Sequence, residues 1–222
     1  MGSSSERGSW GEAAQELAAA LRRDAPLPSG ALRRLLVAVE GEPPAGVWHP
    51  TGFVVLTLHA DGRGALRLHL WPEGARELGA PCWPVHDHAW HLRSHVLHGE
   101  VRSHGYRVDD DPAGDWRLYA VDYAPGRRSC MRRSDRRVSV RPEGPRRVPA
   151  GERYAVAAGC FHASRVEAGE SAATLVVTTI TARAHPWVVG PDDGPEAVPV
   201  ERPEADAGLV RGVLGQVTAA LP

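Results

Sequence analysis

His86-Asp87-His88 is the segment of this 222-residue chain whose residue types and spacing most directly suggest chemistry. In an extended segment, residues i and i+2 point to the same side, so two imidazoles can converge on one ion. Histidine suits Fe, Zn, Cu, Ni and Mn, and nitrogen–metal bonds of about 2.0–2.2 Å are compatible with that spacing. A lone His-x-His also arises by chance on surfaces. Here it sits in a dense run: His86, His88, His91, His95 and His98 are five of the eleven histidines in the chain.

The composition is that of a soluble globular protein, 42% hydrophobic and 24% charged, with a length that suits one domain with helical additions. There are 26 basic and 27 acidic side chains, a net charge of -1, so charge argues for neither a nucleic-acid nor a membrane partner. The chain has no Lys, no Asn and one Ile, Ile180, as a GC-rich genome would produce. Codon bias does not explain the histidines. Cys82, Cys130 and Cys160 are odd in number and do not read as a disulfide framework. No apolar run approaches the roughly 20 residues that span a bilayer, and Met1–Ser9 has no apolar signal core, so the expected location is cytoplasmic.

Those histidines need a scaffold. Residues 1–9 read as a disordered N-terminus. Residues 10–45 read as a helical extension, with helices over Trp10–Arg23 and Gly30–Val39 stopped by the Pro26/Pro28 and Pro43/Pro44 pairs. Residues 46–190 change to β character. Phe53–His59 and Ala65–Trp71 flank the turn Asp61-Gly62-Arg63-Gly64 as a hairpin. Short strands are expected over 92–101, 106–108, 116–123, 138–140, 146–148, 153–156, 163–166 and 174–181. Arg127–Arg137, with six Arg in eleven residues, reads as a solvated loop. Residues 191–222 read as an irregular Pro- and Asp-rich stretch to about Pro203, followed by a helix over Ala205–Leu221 in the same domain. The fold class is mainly β, a sandwich or barrel with N-terminal helices and a C-terminal helix.

The spacing around the histidines resembles the two signature motifs of the cupin superfamily, whose fold is a jelly-roll β-barrel. His86-x-His88, then Leu92 and Gly99, follow the first motif; Gly151, Ala157, Gly159, His162 and Val166 follow the second. The likeness spans about residues 50–182. It implies His86, His88 and His162 as metal ligands. Leu92 stands where the motif has a Glu ligand, Ala157 replaces a Pro, Val166 an Asn, and Gly79 is one residue out of register. The first shell would then be three neutral imidazoles, leaving about three positions open on an octahedral ion.

Counted back from Gly99, Leu92, Ser94, Val96 and His98 share one face, and that face should look into the barrel. His91 and His95 would point outward, under the helices or at a subunit contact. His69 alternates with Arg67 and Trp71, which makes Arg67 and His69 candidate substrate contacts. Ser94, Thr174 and Thr178 are the candidate catalytic polar groups inside the barrel. His49, His59, His104 and His185 carry no signal above background.

Within cupins, Leu68–Gly74 leading into Val85–His88 resembles the three-His cysteine and thiol dioxygenases, which use ferrous iron. The family's substrate-anchoring Arg falls near Val54, and its Cys of the Cys–Tyr cross-link at Leu92. Its late Ser-His-Tyr series falls at Thr174, Val176 and Thr178. The resemblance thus implies the iron scaffold without the cysteine-handling groups. The expected activity is a mononuclear non-haem iron oxygenase that oxidises a small metal-coordinating substrate with O2. Fe(II) is the first expectation for the cofactor, with Zn, Ni, Mn and Cu open. The rival readings are a non-redox metal-dependent isomerase, cyclase or lyase, and a small-molecule-binding cupin without catalysis. Because cupins often pair, the resemblance also suggests a homodimer.

Overall fold

A computed structural model of the chain describes residues 10–74, 79 and 81–221. The expected disordered segment 1–9 lies outside them. Two helices, α1 (Gly11–Arg22) and α2 (Ser29–Gly41), come first. They are followed by β1 (Val47–His49), β2 (Phe53–Asp61), β3 (Gly64–Trp71), β4 (Trp90–His98), β5 (Glu100–Asp110) and β6 (Trp116–Ala124). Then come β7 (Arg128–Pro149), β8 (Arg153–Val156), β9 (Phe161–Arg165), β10 (Ala172–Ile180), β11 (Trp187–Pro191), β12 (Ala197–Glu201) and the helix α3 (Ala207–Ala219).

The strands form two antiparallel sheets, β1-β2-β3-β10-β4-β8 and β11-β6-β7-β5-β9, with β12 paired to β7. The sheets do not close on one another, which corrects the expected barrel to two facing sheets. Alternation sorts the first sheet's side chains into two cores. Leu56 of β2, Leu66, Leu68 and Leu70 of β3, and Leu175 and Val177 of β10 face the helices, where they bury Leu17, Leu21, Leu35, Leu36 and Leu214. Phe53, Trp71, Leu92, Val96 and Val176 face the second sheet instead. The bidentate pair Arg22–Asp61, at 2.9 and 3.0 Å, ties α1 to the end of β2. That pairing holds the Asp61 carboxyl down at about 2.

Three expectations about elements change. The strand expected over 92–101 is cut at Gly99, whose φ of +68° turns β4 into β5. A Cβ there would stand 2.1 Å from the Ser171 carbonyl oxygen, so the turn is closed to other residues. Of Arg127–Arg137, all but the turn residue Arg127 form not a loop but the start of the 22-residue β7. Its arginines stay solvated because Arg132, Arg136 and Arg137 pair with Asp122, Asp110 and Asp192 across the sheet surface. The stretch read as irregular up to Pro203 holds β12, and β11 runs up to its first residue, Pro191. Each of these strands is only five residues long, too short for its alternation to stand out among the prolines and acidic residues.

Candidate metal centre

His86, His88 and His162 come together between the sheets, each offering a ring nitrogen within 4.8 Å of the others. Two backbone hydrogen bonds bring the segments into register: His86 N–H donates to His162 O at 3.1 Å, and His162 N–H to His86 O at 2.8 Å. This bridge joins the strap before β4 to the start of β9. The three rings form a near-equilateral triangle, with centroid separations of 4.8, 4.9 and 5.0 Å.

Asp87 fixes the strap from behind. It is fully buried, accepts the Trp187 backbone N–H, and pairs with Arg183 at 2.9 Å. With the Asp87 side chain held from the far side, the two flanking imidazoles are free to converge toward His162. Gly159 leaves room for the clamp, since a Cβ there would meet the Arg183 guanidinium at 2.7 Å.

The rings are prepared to be neutral donors. Burial, then the neighbouring imidazoles, holds His88 and His162 well below the ordinary histidine range. Burial also lowers His86, although its contact with the Pro84 carbonyl opposes the shift. His86 Nδ1 lies 2.9 Å from that carbonyl; donation there leaves Nε2 with its lone pair toward the cavity. His162 Nδ1 is buried with no hydrogen-bond partner among the described residues. The Nε2 atoms of His88 and His162 are 2.9 Å apart. Two adjacent ligands at about 2.1 Å from an octahedral ion would be about 3.0 Å apart, so this pair fits a divalent metal.

The triad lines a cavity of about 390 Å³, within the range of small-molecule sites. Phe53, Trp71, Trp83, Trp90, Tyr123 and Tyr154 supply its aromatic walls. Leu92 lines it too at 6% exposure, on the face that the parity argument predicted. His91 and Arg93 are exposed, and His95 lies beside Arg153, which reaches Asp24 after α1.

Arg67 and His69 both line the cavity, and burial pushes the His69 imidazole down to about 3. Ser94, Thr174 and Thr178 point between the sheets but are buried away from the cavity wall. Thr178 Oγ1 accepts the Ala65 N–H at 3.0 Å, a tie from β10 to β3. Thr174 Oγ1 has no hydrogen-bond partner among the described residues, and Ser94 lies beside the Tyr154 hydroxyl. Val54, at the position of the thiol dioxygenases' anchoring Arg, faces the helices and not the cavity.

Two residues here carried no sequence signal. His49 lines the cavity, stacked on Phe53 at a 4.3 Å centroid distance and 5.7 Å from the His86 ring. Its strand, β1, has three residues and no readable alternation. Arg202 lines the cavity from just beyond β12, in the stretch read as irregular. Only the pairing of β12 with β7 places it there.

Fold and site together define a mainly β, two-sheet protein with a three-histidine centre fit for a metal ion. No protein-family model matches the sequence, and no curated protein matches it. Three solved structures are among those similar to it. A DMSP lyase from Ruegeria pomeroyi is 16% identical, with a TM-score of 0.42 over 81% of this chain and 79% of that one. An RmlC-like cupin protein from Ralstonia eutropha is 14% identical, with a TM-score of 0.38 over 79% and 82%. A hydroquinone 1,2-dioxygenase, in complex with Cd2+ and 4-hydroxybenzonitrile, is 15% identical, with a TM-score of 0.37 over 66% and 72%. At such similarity no residue role passes from them to this chain. Among the described residues no helix is long and apolar enough to cross a membrane.

Proposed function

We propose that the chain is a cupin-type mononuclear non-haem iron oxygenase acting on a small organic substrate. His86, His88 and His162 would hold Fe(II), and the substrate would be oxidised with O2. The observation that supports this is the convergence of three neutral imidazoles, with no carboxylate among them, on an aromatic cavity. When bound there, ferrous iron supplies O2 activation and a Lewis-acidic site for a substrate heteroatom.

The chain's own groups divide the remaining work. Neutral donors leave the ion its full +2 charge, which favours an anionic or polarisable substrate group. Asp87, Arg183 and the Pro84 carbonyl hold the ligand strap in one orientation. Phe53, Trp71 and Leu92 present apolar surface beside the triad and limit water in the cavity. Arg67 and His69 contact the substrate in this reading. The low basicity of His69 keeps it an uncharged donor or acceptor near pH 7.

Metal analysis of protein purified without chelator tests the reading. Iron at one per chain, a nitric-oxide-responsive ferrous signal and oxygen uptake with a substrate panel are expected. Zinc at one per chain, with no oxygen uptake across the panel, would overturn it in favour of a non-redox Lewis-acid enzyme.

A further inference from the structure

The cavity wall has a second polar feature beside the histidines. Arg67 and Arg202 both line the cavity, and neither forms an ion pair among the described residues. The Nε atom of each is buried without a hydrogen-bond partner among the described residues. The Arg67 guanidinium lies 5.6 Å over the Trp90 ring, and that of Arg202 lies 5.1 Å over the Tyr123 ring. Trp90 and Tyr123 are themselves 6.3 Å apart, so the two cations occupy adjoining places on one aromatic wall. Tyr123 is 53% exposed, which sets this wall at the mouth of the cavity.

This placement is costly for a wall with no ligand. Guanidinium stays charged at any physiological pH, and two like charges oppose one another when water is partly removed. Most arginines of this chain with known partners are answered by carboxylates, as Arg22 is by Asp61 and Arg117 by Asp192. Among the described residues the only carboxylate on the cavity wall is Asp87, which is already engaged by Arg183 and the Trp187 N–H. Ring faces stabilise a cation but leave its N–H donors unfilled. The forked donors of two arginines match the oxygens of a carboxylate or phosphate.

We propose that the cavity binds a small organic anion whose carboxylate or phosphate group is held by Arg67 and Arg202 at the mouth. The inference rests on the reading that the histidine end is the reacting centre, and it names the substrate class for that centre. The anion's organic body would lie along Trp90, with its far end toward the triad. The aromatic wall favours a flat or apolar body over a sugar-like one.

Tryptophan fluorescence of the full chain, as purified and after metal stripping, gives the test. The probes are benzoate, phenyl phosphate and the uncharged benzamide. At least one anion should bind ten or more times tighter than benzamide, with or without metal. The tighter of the two assigns the group as carboxylate or phosphate. Arg67→Gln and Arg202→Gln should each weaken that anion at least tenfold and leave benzamide unchanged. Arg67→Lys, which keeps charge and stem, should recover part of the loss. Melting temperatures within a few degrees of wild type certify the folds, and Arg202, which lies outside the strands, decides if Arg67→Gln does not fold. Equal binding of anion and amide, or wild-type anion binding by the Arg202 variant, overturns the proposal. Anion binding that needs metal and ignores both arginines also overturns it, while leaving the three-histidine centre standing. Conversely, anion binding by the arginines in a chain that takes up no metal supports this subsite and refutes the metal reading alone.

Discussion

The Nε2 atoms of His88 and His162 stand 2.9 Å apart, although 74 residues separate them in the chain. Two lone pairs cannot face each other at that distance without a proton or a cation between them. A divalent ion there would accept both lone pairs. His162→Ala should therefore abolish stoichiometric metal uptake, read by elemental analysis after reconstitution and desalting. Full metal loading of the variant would show that the ion lies elsewhere.

Asp87 contributes by position and not by ligation. Asp87→Asn keeps an acceptor for the Trp187 N–H but removes the charge that answers Arg183. A loss of about 1–3 kcal/mol in unfolding free energy is expected. Metal affinity should fall about tenfold, as for partners that orient ligands from outside the first shell. Chemical denaturation and competition with a chromogenic chelator measure the two effects separately.

Acid should destabilise the metal-free protein. Burial lowers His69 from 6.5 to about 3. Between those values the unfolded chain binds a proton that the folded chain does not, so stability falls as pH drops from 6.5 toward 3. His69 alone contributes a slope of up to about 1.4 kcal/mol per pH unit in that window. His49, His88 and His162 shift in the same direction, mainly through burial. His69→Phe should flatten the profile of denaturation midpoint against pH. An unchanged slope would mean that His69 is protonated in the folded protein.

Gly99→Ala tests the corner between β4 and β5. The new methyl would meet the Ser171 carbonyl at 2.1 Å, on a backbone with φ of +68°. A destabilisation of about 2–4 kcal/mol is expected, visible as a lowered melting temperature. Because β4 carries Leu92 on the cavity wall, metal affinity of the folded fraction should weaken as well.

The sequence alone carried the local periodicities and the spacing of a ligand set. Helical repeats marked α1, α2 and α3, alternation marked β2, β3 and β10, and the parity of β4 put Leu92 inward and His91 outward. His-x-His is legible because two residues on one side of an extended strap need no partner to be read. Long-range pairing was not legible. The rest of the cavity depends on contacts between distant segments: β12 on β7 brings Arg202 to the wall, and the short β1 on β2 brings His49. A strand of three or five residues carries too little pattern to announce its face, so only the sheet it joins decides where its side chains point. The same holds for the arginines of β7: their number was plain in the chain, but hydrogen bonding to β6 and β12 made a strand of what composition described as a loop.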